Sequence, residues 1–122
     1  MYNLKIFRGK KIIITGHTGF KGSWLTLWLH HLGAKILGVS NGYSTSPNHY
    51  KLLKMNSKIK SRNIDISNLK KIEEVVLDYE PDYVFHLAAQ ALVSRSFLNP
   101  IQTFSSNTLG TLNLLQSLRK LK

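Results

Sequence analysis

The feature that most constrains the fold is a run of three evenly spaced glycines directly after a short apolar segment. Gly16, Gly19 and Gly22 follow residues 12–15, a β-branched run typical of a buried strand. Residues 20–32 then carry apolar side chains at helical spacing. This order of strand, glycine turn and helix predicts the start of a βαβ unit.

The glycine turn has the properties of a phosphate site. A helix N-terminus presents unpaired N–H groups and the positive end of the helix dipole, and both attract a phosphate. In the predicted unit, Gly16 permits the tight turn, Gly19 lets a diphosphate approach the main chain, and Gly22 lets the helix pack closely on the strand. The spacing G-x-x-G-x-x-G differs from the G-x-G-x-x-G of the dehydrogenase fingerprint. A structural turn without a ligand is the alternative interpretation.

The rest of the chain alternates between predicted strands and helices. Strands are expected at 35–40, 58–66 and 83–89, and helices at 49–55, from Ser67 as N-cap to just before Pro81, and from Pro100 almost to the C-terminus. In the first helix, Trp24 and Trp28 are expected to pack in the core. The alternation implies right-handed crossovers and a parallel sheet covered on both faces. We therefore expect a single α/β Rossmann-type domain over residues 1–122.

Composition excludes several classes of protein. The chain has no cysteine, so neither a disulfide nor a thiolate metal site is expected, and no metal site is predicted. No apolar run reaches the roughly 18 residues of a membrane helix, and no signal core is present, which predicts a cytoplasmic protein without a membrane partner. The net charge of +11 comes from scattered Lys and Arg without a zinc-finger or RNA-binding signature, so nucleic acid is not an expected partner.

The sequence "TGHTGFKGSWL" resembles the cofactor turn of the extended short-chain dehydrogenase/reductase superfamily, and within it the CDP-glucose 4,6-dehydratases. His17, Phe20, Lys21 and Trp24 narrow the resemblance to this dehydratase branch. It continues in "HLAAQALVSRSFLNP" and "SNTLGTLNLL" and so covers nearly the whole chain. The resemblance implies NAD as the cofactor, a nucleotide sugar as the substrate of the complete enzyme, and a role in lipopolysaccharide O-antigen synthesis.

The resemblance also assigns cofactor contacts to the ends of the predicted strands. Ser40 and Asn41 stand where such a site usually has an Asp or Glu for the adenosine ribose, so the choice between NAD and NADP is less secure here. Asp65 and Ile66 resemble an adenine-edge contact, with helix capping as the alternative role of Asp65. The predicted cofactor-binding residues are Gly16, His17, Thr18, Gly19, Phe20, Gly22, Ser40, Asn41, Asp65, Ile66, Leu87, Ala88, Ala89 and Gln90.

Three further residues receive roles from the resemblance. Arg95 and Ser96, in a predicted loop beyond the fourth strand, correspond to positions that approach the sugar nucleotide; a solvated loop Arg is the alternative. Asn107 corresponds to an Asn that holds the active-site backbone through hydrogen bonds. It is expected in the middle of a helix, where an exposed Asn is unfavourable by propensity.

The catalytic residues of the family are not expected in this chain. Family members need a Tyr-x-x-x-Lys pair, in which Tyr is the base and Lys lowers its pKa. In relatives this pair follows the fifth strand. Tyr50 and Lys54 have the spacing but lie between the second and third strands, so we interpret them as a chance match. The chain is expected to hold the cofactor half of an enzyme, truncated after about four strands and inactive alone.

The missing fifth strand has a predicted consequence. In the strand order 3-2-1-4-5-6 the fourth strand is interior, so here residues 84–87 would form an unpaired edge. This predicts either self-association into a homo-oligomer or a fragment of a longer product. Two alternative functions stay open: part of another NAD-dependent nucleotide-sugar epimerase or dehydratase, and a non-enzymatic nucleotide-binding or basic interaction module.

Overall fold

The structure is a computed structural model that describes residues 4–121. These residues form two compact units. The first unit contains the chain up to Asn63 together with Pro81–Leu87, and the second contains Ile64–Glu80 and the chain from Ala88 onward. Each unit is described separately below.

The first unit is built on a four-stranded parallel sheet. Its strands are β1 (Lys11–Thr15), β2 (Lys35–Ser40), β3 (Lys60–Asn63) and β4 (Tyr83–His86), in the order β3-β2-β1-β4. All three pairings are parallel, and β1 lies between β2 and β4. The prediction of an α/β Rossmann-type fold is therefore confirmed. Two predicted strands were too long, since β3 and β4 have only four residues each.

Helix α1 (Phe20–His31) covers β1 and β2 with small residues. The buried positions of the helix are Gly22, Ser23, Thr26 and Leu29. Its two tryptophans, at positions 24 and 28, are 52% and 50% exposed, so the prediction that both pack in the core was wrong. The reason is steric: a helix that approaches the sheet closely needs small side chains on the facing side.

Short helical segments complete the first unit. They are a 3₁₀ turn at Leu4–Phe7, helix α2 (His49–Leu52) and a second 3₁₀ turn at Met55–Ser57. The side chain of Asn48 caps α2 by accepting a hydrogen bond from the Lys51 amide at 3.2 Å.

The second unit pairs α3 (Leu69–Tyr79) with a long helical run that begins at Pro100. That run consists of α5 (Pro100–Phe104), a π-helical segment (Ser105–Leu109) and α6 (Gly110–Leu118). Where Gly110 faces Ile66, an added Cβ would lie 2.5 Å from the Ile66 side chain, so the close packing here requires glycine.

Two local predictions in the second unit were wrong. The N-cap of α3 is Asn68, whose Oδ1 accepts from the Lys71 amide at 3.2 Å, and Ser67 instead donates to Asp65. The segment predicted as a loop contains helix α4 (Val93–Leu98).

In residues 4–121, no helix combines the length and the apolar character needed to cross a membrane. Within the same range, no three His, Asp or Glu side chains cluster as metal ligands would.

Candidate functional site

The glycine turn joins β1 to α1 with a backbone that requires two of its glycines. Gly16 has φ of 72°, which side-chain-bearing residues rarely adopt. A Cβ on Gly22 would lie 2.1 Å from the Gly16 carbonyl oxygen. The turn is tied to β2 because the Gly16 amide donates to the Val39 carbonyl at 2.7 Å, and it closes through a bond of 3.0 Å from the Gly19 amide to the Gly16 carbonyl.

Beyond this turn, the first amides of α1 are open. The amide of Ser23 donates to the Gly19 carbonyl at 2.8 Å, which begins the helical pattern. Among the described residues, no carbonyl accepts from the amides of Phe20, Lys21 or Gly22, and no side chain caps the helix at Gly19. Open amides at the positive end of a helix suit an anionic group, and the exposed Lys21 adds a positive charge beside them.

Two side chains of the turn are directed into the first unit. His17 is 2% exposed and Thr18 is 8% exposed. The Thr18 hydroxyl donates to the Gly42 carbonyl at 2.7 Å, and the Asn48 amide group donates to the Thr18 carbonyl at 3.0 Å. Both side chains therefore have contacts within the first unit, and the cofactor contact predicted for His17 and Thr18 stays a prediction.

The end of β2 holds the two residues predicted at the adenosine ribose. Ser40 is 7% exposed, and its hydroxyl lies 2.9 Å from that of Thr18. Asn41 is exposed on the surface. Neither residue carries a charge, so this strand end lacks the carboxylate that would repel a 2′-phosphate. The Ser40 side chain is buried within the unit, and Asn41 is the more exposed member of the pair.

The ends of β1 and β4 form a second polar cluster that sequence analysis missed. The Thr15 hydroxyl accepts from the Leu87 amide at 3.1 Å and lies 2.6 Å from Nδ1 of His86. Burial lowers the pKa of His86. A neutral imidazole can accept the Thr15 proton at Nδ1, so the three groups satisfy one another. Because the partners are 71 residues apart, no local sequence signal marks the pair.

In the second unit, Asp65 and Ile66 have separate environments. Asp65 Oδ1 accepts from the amide and the hydroxyl of Ser67, at 2.9 and 2.7 Å. The Ile66 side chain is 4% exposed, and its carbonyl accepts from the Asn113 amide group at 3.1 Å. A cavity of about 450 Å³ is lined by Asp65, Ser67, Leu98, Asn99, Pro100, Ile101, Gln102, Ser105 and Ser106. Because Asn68 is the N-cap of α3, Asp65 is not the helix cap, and its predicted adenine contact stays a prediction.

The chain after β4 is held by Asn107. Its Oδ1 accepts from the Gln90 amide at 2.8 Å, and its Nδ2 donates to the Gln90 carbonyl at 3.1 Å. The Gln90 side chain in turn donates to the Leu92 carbonyl at 3.0 Å and the Thr103 hydroxyl at 3.1 Å. Asn107 thus bonds the backbone of Gln90, and its supporting role at an active site stays a prediction. Ala88, before this segment, is half-buried.

The residues predicted to approach a sugar nucleotide lie on α4 instead of a loop. Arg95 is exposed, and the Ser96 hydroxyl donates to the Val93 carbonyl at 2.6 Å. The guanidinium is thus accessible to an anionic group, whereas the Ser96 proton already has an acceptor. Ala89, one of the predicted cofactor-binding residues, is also exposed.

The chain matches the family model described as GDP-mannose 4,6 dehydratase over residues 13–122. The CDP-glucose 4,6-dehydratase of Salmonella typhimurium is 38% identical over 120 residues, which are 98% of this chain and 33% of that protein. The crystal structure of UDP-glucose 4-epimerase from Thermotoga maritima, with UDP-glucose, has a TM-score of 0.81 at 32% identity and covers 91% of this chain and 34% of that one.

A third relative is a structure of UDP-glucose 4-epimerase from Thermus thermophilus in complex with NAD. Its TM-score is 0.78 at 27% identity, over 91% of this chain and 34% of that one. The present chain therefore spans about a third of the length of the relatives it matches.

Proposed function

The chain belongs to the GDP-mannose 4,6 dehydratase family, and we propose that it is the coenzyme-binding part of a nucleotide-sugar 4,6-dehydratase that uses NAD. The observation that carries the proposal is the glycine turn, which ends in three open helix amides. A diphosphate bridge is the group that this arrangement fits best. When bound, NAD supplies reversible acceptance of a hydride from the sugar.

The residues of this chain bind and orient the coenzyme in the proposal. The amides of Phe20, Lys21 and Gly22 hold the diphosphate, and the Lys21 side chain offsets its charge. Asn41 takes a ribose hydroxyl, and the absence of an Arg between Lys35 and Lys60 disfavours a 2′-phosphate. The contacts from Asp65, Ile66, Leu87, Ala88, Ala89 and Gln90 complete the predicted coenzyme set.

The proposed substrate is that named for one relative, the CDP-glucose 4,6-dehydratase of Salmonella typhimurium. CDP-glucose is the proposed nucleotide sugar, since the Salmonella typhimurium dehydratase matches 98% of this chain. Arg95 is proposed to take a phosphate of the substrate, because it is exposed and Arg suits bidentate contacts to phosphate. The proposal includes the predicted role in O-antigen synthesis and a cytoplasmic location.

A second candidate is the coenzyme-binding part of a nucleotide-sugar epimerase. It is favoured by the likeness to UDP-glucose 4-epimerases, whose Thermotoga maritima structure has a TM-score of 0.81. The two candidates share the coenzyme and differ in the nucleotide sugar. Binding of CDP-glucose in preference to UDP-glucose favours the dehydratase, and the reverse preference favours the epimerase.

Calorimetric titration of the chain with NAD, NADP, CDP-glucose and UDP-glucose, each alone, tests the proposal. We expect saturable binding of NAD and weaker binding of NADP. A matched Gly22→Val variant, whose Cβ would meet the Gly16 carbonyl, should lose NAD binding. An absence of heat and of NMR shifts at residues 16–22 with millimolar NAD would overturn the proposal, and salt-sensitive DNA binding instead would favour a basic interaction module.

A further inference from the structure

One ring in the glycine turn is removed from solvent, although the turn is a loop. His17 lies between Gly16 and Gly19 in the sequence and is 2% exposed. Burying a polar ring is unfavourable unless other groups take up its hydrogen bonds. In His17 only Nε2 has a hydrogen-bond partner, whereas Nδ1 is buried without one among the described residues. The neighbours that pack around the ring indicate what it does.

The first neighbour is a glycine in the middle of β2. A Cβ on Gly38 would lie 2.3 Å from Cδ2 of His17 and 2.5 Å from its Cγ. Glycine weakens a strand interior, and its presence there often marks the close approach of another group. Here the approaching group is the imidazole, so Gly38 and His17 form a matched pair across the turn.

The second set of neighbours supplies polar contacts. Nε2 of His17 lies 3.1 Å from the Ser61 hydroxyl on β3, and the Tyr50 hydroxyl lies 3.1 Å from the same Ser61 oxygen. The Tyr50 ring, on α2, meets the imidazole edge-on with centroids 4.9 Å apart. One side chain of the turn thus contacts β2, β3 and α2, all within the first unit.

The chemistry of the ring agrees with a role that needs no charge. Burial lowers the pKa of His17, and the nearby Val39 carbonyl acts in the opposite sense to a smaller degree. The titratable group that faces the ring is Tyr50, whose own pKa is raised chiefly by burial. Because its pKa is lowered, the neutral form of His17 predominates at pH 7, and the ring is packed inside the unit.

We propose that His17 is a positioning residue, whose side chain, seated on Gly38 and bonded to Ser61, fixes the main chain of the turn for phosphate binding. This inference rests on the proposed function of the turn as the diphosphate site. After loss of the ring, the main chain of the turn keeps the hydrogen bonds of the Gly16 and Gly19 amides and those that the Thr18 and Gly19 carbonyls accept. The turn then samples conformations in which its open amides diverge, and the ligand must bear the cost of ordering them.

The test uses the 122-residue chain with His17→Ala, Gly38→Ala and the double variant, compared at a low temperature where circular dichroism shows each one folded. His17→Ala is expected to weaken NAD binding at least tenfold. Gly38→Ala, which pushes the ring out, should weaken it similarly, and the double variant should be no worse than either single change. Met55→Ala is the matched control, since Met55 is 0% exposed in the same unit and is neither the hydrogen-bond partner nor the aromatic partner of the ring: it should lower stability and leave NAD affinity within twofold.

Amide hydrogen exchange without ligand separates this inference from the proposed function. His17→Ala should speed exchange at the Gly16 and Gly19 amides at least tenfold, and Met55→Ala should not do so beyond its effect on the whole unit. If the unaltered chain fails to bind NAD, the proposed function falls and the exchange result alone decides whether His17 fixes the turn. Unchanged exchange at both glycines, or faster exchange with NAD affinity within twofold of the unaltered chain, would overturn the inference. If His17→Ala does not fold, Ser61→Ala, which keeps the ring and removes its hydrogen bond, is judged by the same criteria with a threefold threshold.

Discussion

The glycine turn and the segment of α4 and α5 place their side chains in opposite ways. The turn is a loop, yet it buries His17 and Thr18 within its unit. Helices α4 and α5 are regular structure, yet Phe97 and Ile101 are 82% and 85% exposed. Loops usually run over the surface and helices usually bury an apolar face. The difference teaches that the contacts a segment makes, and not its class of secondary structure, decide how sensitive it is to substitution.

The largest effect on stability is expected from adding a side chain at Gly22, inside the turn. In Gly22→Val the new Cβ would lie 2.1 Å from the Gly16 carbonyl oxygen and 2.9 Å from the His17 Cα, and both are main-chain atoms that cannot turn aside. We expect a loss of about 3 kcal/mol or more in the free energy of unfolding, because such overpacking forces the backbone to move. Urea denaturation measures it. Lys21→Ala, at the exposed neighbouring position, is the control, and equal stability of the two variants would contradict the description of the turn.

The next effect concerns the strand ends beside the turn. Thr15→Val keeps the shape of a fully buried side chain but removes the hydroxyl that contacts Nδ1 of His86 and the Leu87 amide. A loss of about 1–3 kcal/mol is expected, because a buried polar group is left without its partner. The denaturation midpoint measures it, with Thr108→Val on the second unit as a comparison. A Thr15→Val variant as stable as the unaltered chain would show that the pair contributes nothing.

The pH dependence of stability tests the same pair, Thr15 and His86. The pKa of His86 is lowered by burial, so the unfolded chain, whose His titrates near 6.5, takes up a proton at a higher pH than the native chain. The stability contributed by neutral His86 is therefore complete above pH 6.5 and declines as the pH falls toward the native pKa. Urea midpoints at pH 7.5 and 5.0 should show this loss, and His86→Asn should reduce it. His17, whose pKa is also lowered, contributes in the same direction, so the reduction is partial.

The order of elements was predictable because its signals are local. A β-branched run before Gly16 and the spacing of three glycines are readable within a dozen residues. The parallel order β3-β2-β1-β4 is that of the dinucleotide-binding fold, which the alternation of strands and helices and the glycine turn together predict. Boundaries were less certain: Asn68 caps α3 one residue beyond the predicted Ser67, since both residue types can fill that position.

The candidate site was less predictable because its contacts are distant in sequence. Nothing near His17 shows that its ring will meet Ser61, 44 residues away. The buried face of α1 was misjudged for a related reason, because the apolar pattern that includes Trp24 does not reveal that close packing on the sheet needs small residues. A glycine inside a predicted strand, Gly38, was the one available signal of a close approach.

A smaller effect is expected where a polar side chain holds exposed backbone. Asn107→Ala removes two hydrogen bonds to the main chain of Gln90, of 2.8 and 3.1 Å. Because Asn107 is exposed, water replaces much of what is lost, and the cost is expected to be about 1 kcal/mol. Faster hydrogen exchange at the Gln90 amide is the local measurement, and Asn113→Ala, which instead frees the carbonyls of Ile66 and Ser67, is the comparison. Unaltered exchange at Gln90 would show that Asn107 does not hold this segment.

The smallest effect on stability is expected in α4 and α5, the helical segment with exposed apolar side chains. Phe97→Ser and Ile101→Ser remove apolar side chains that are already more than four-fifths exposed, so each should change the free energy of unfolding by no more than about 0.5 kcal/mol. If the chain forms a homo-oligomer through these residues, the double variant should dissociate it in a light-scattering dilution series while the melting of the monomer stays the same. A stability loss of several kcal/mol in dilute monomer would instead mean that Phe97 and Ile101 are packed in solution. The helical segment of α4 and α5 would then be packed like the glycine turn, and the contrast drawn between the two segments would be wrong.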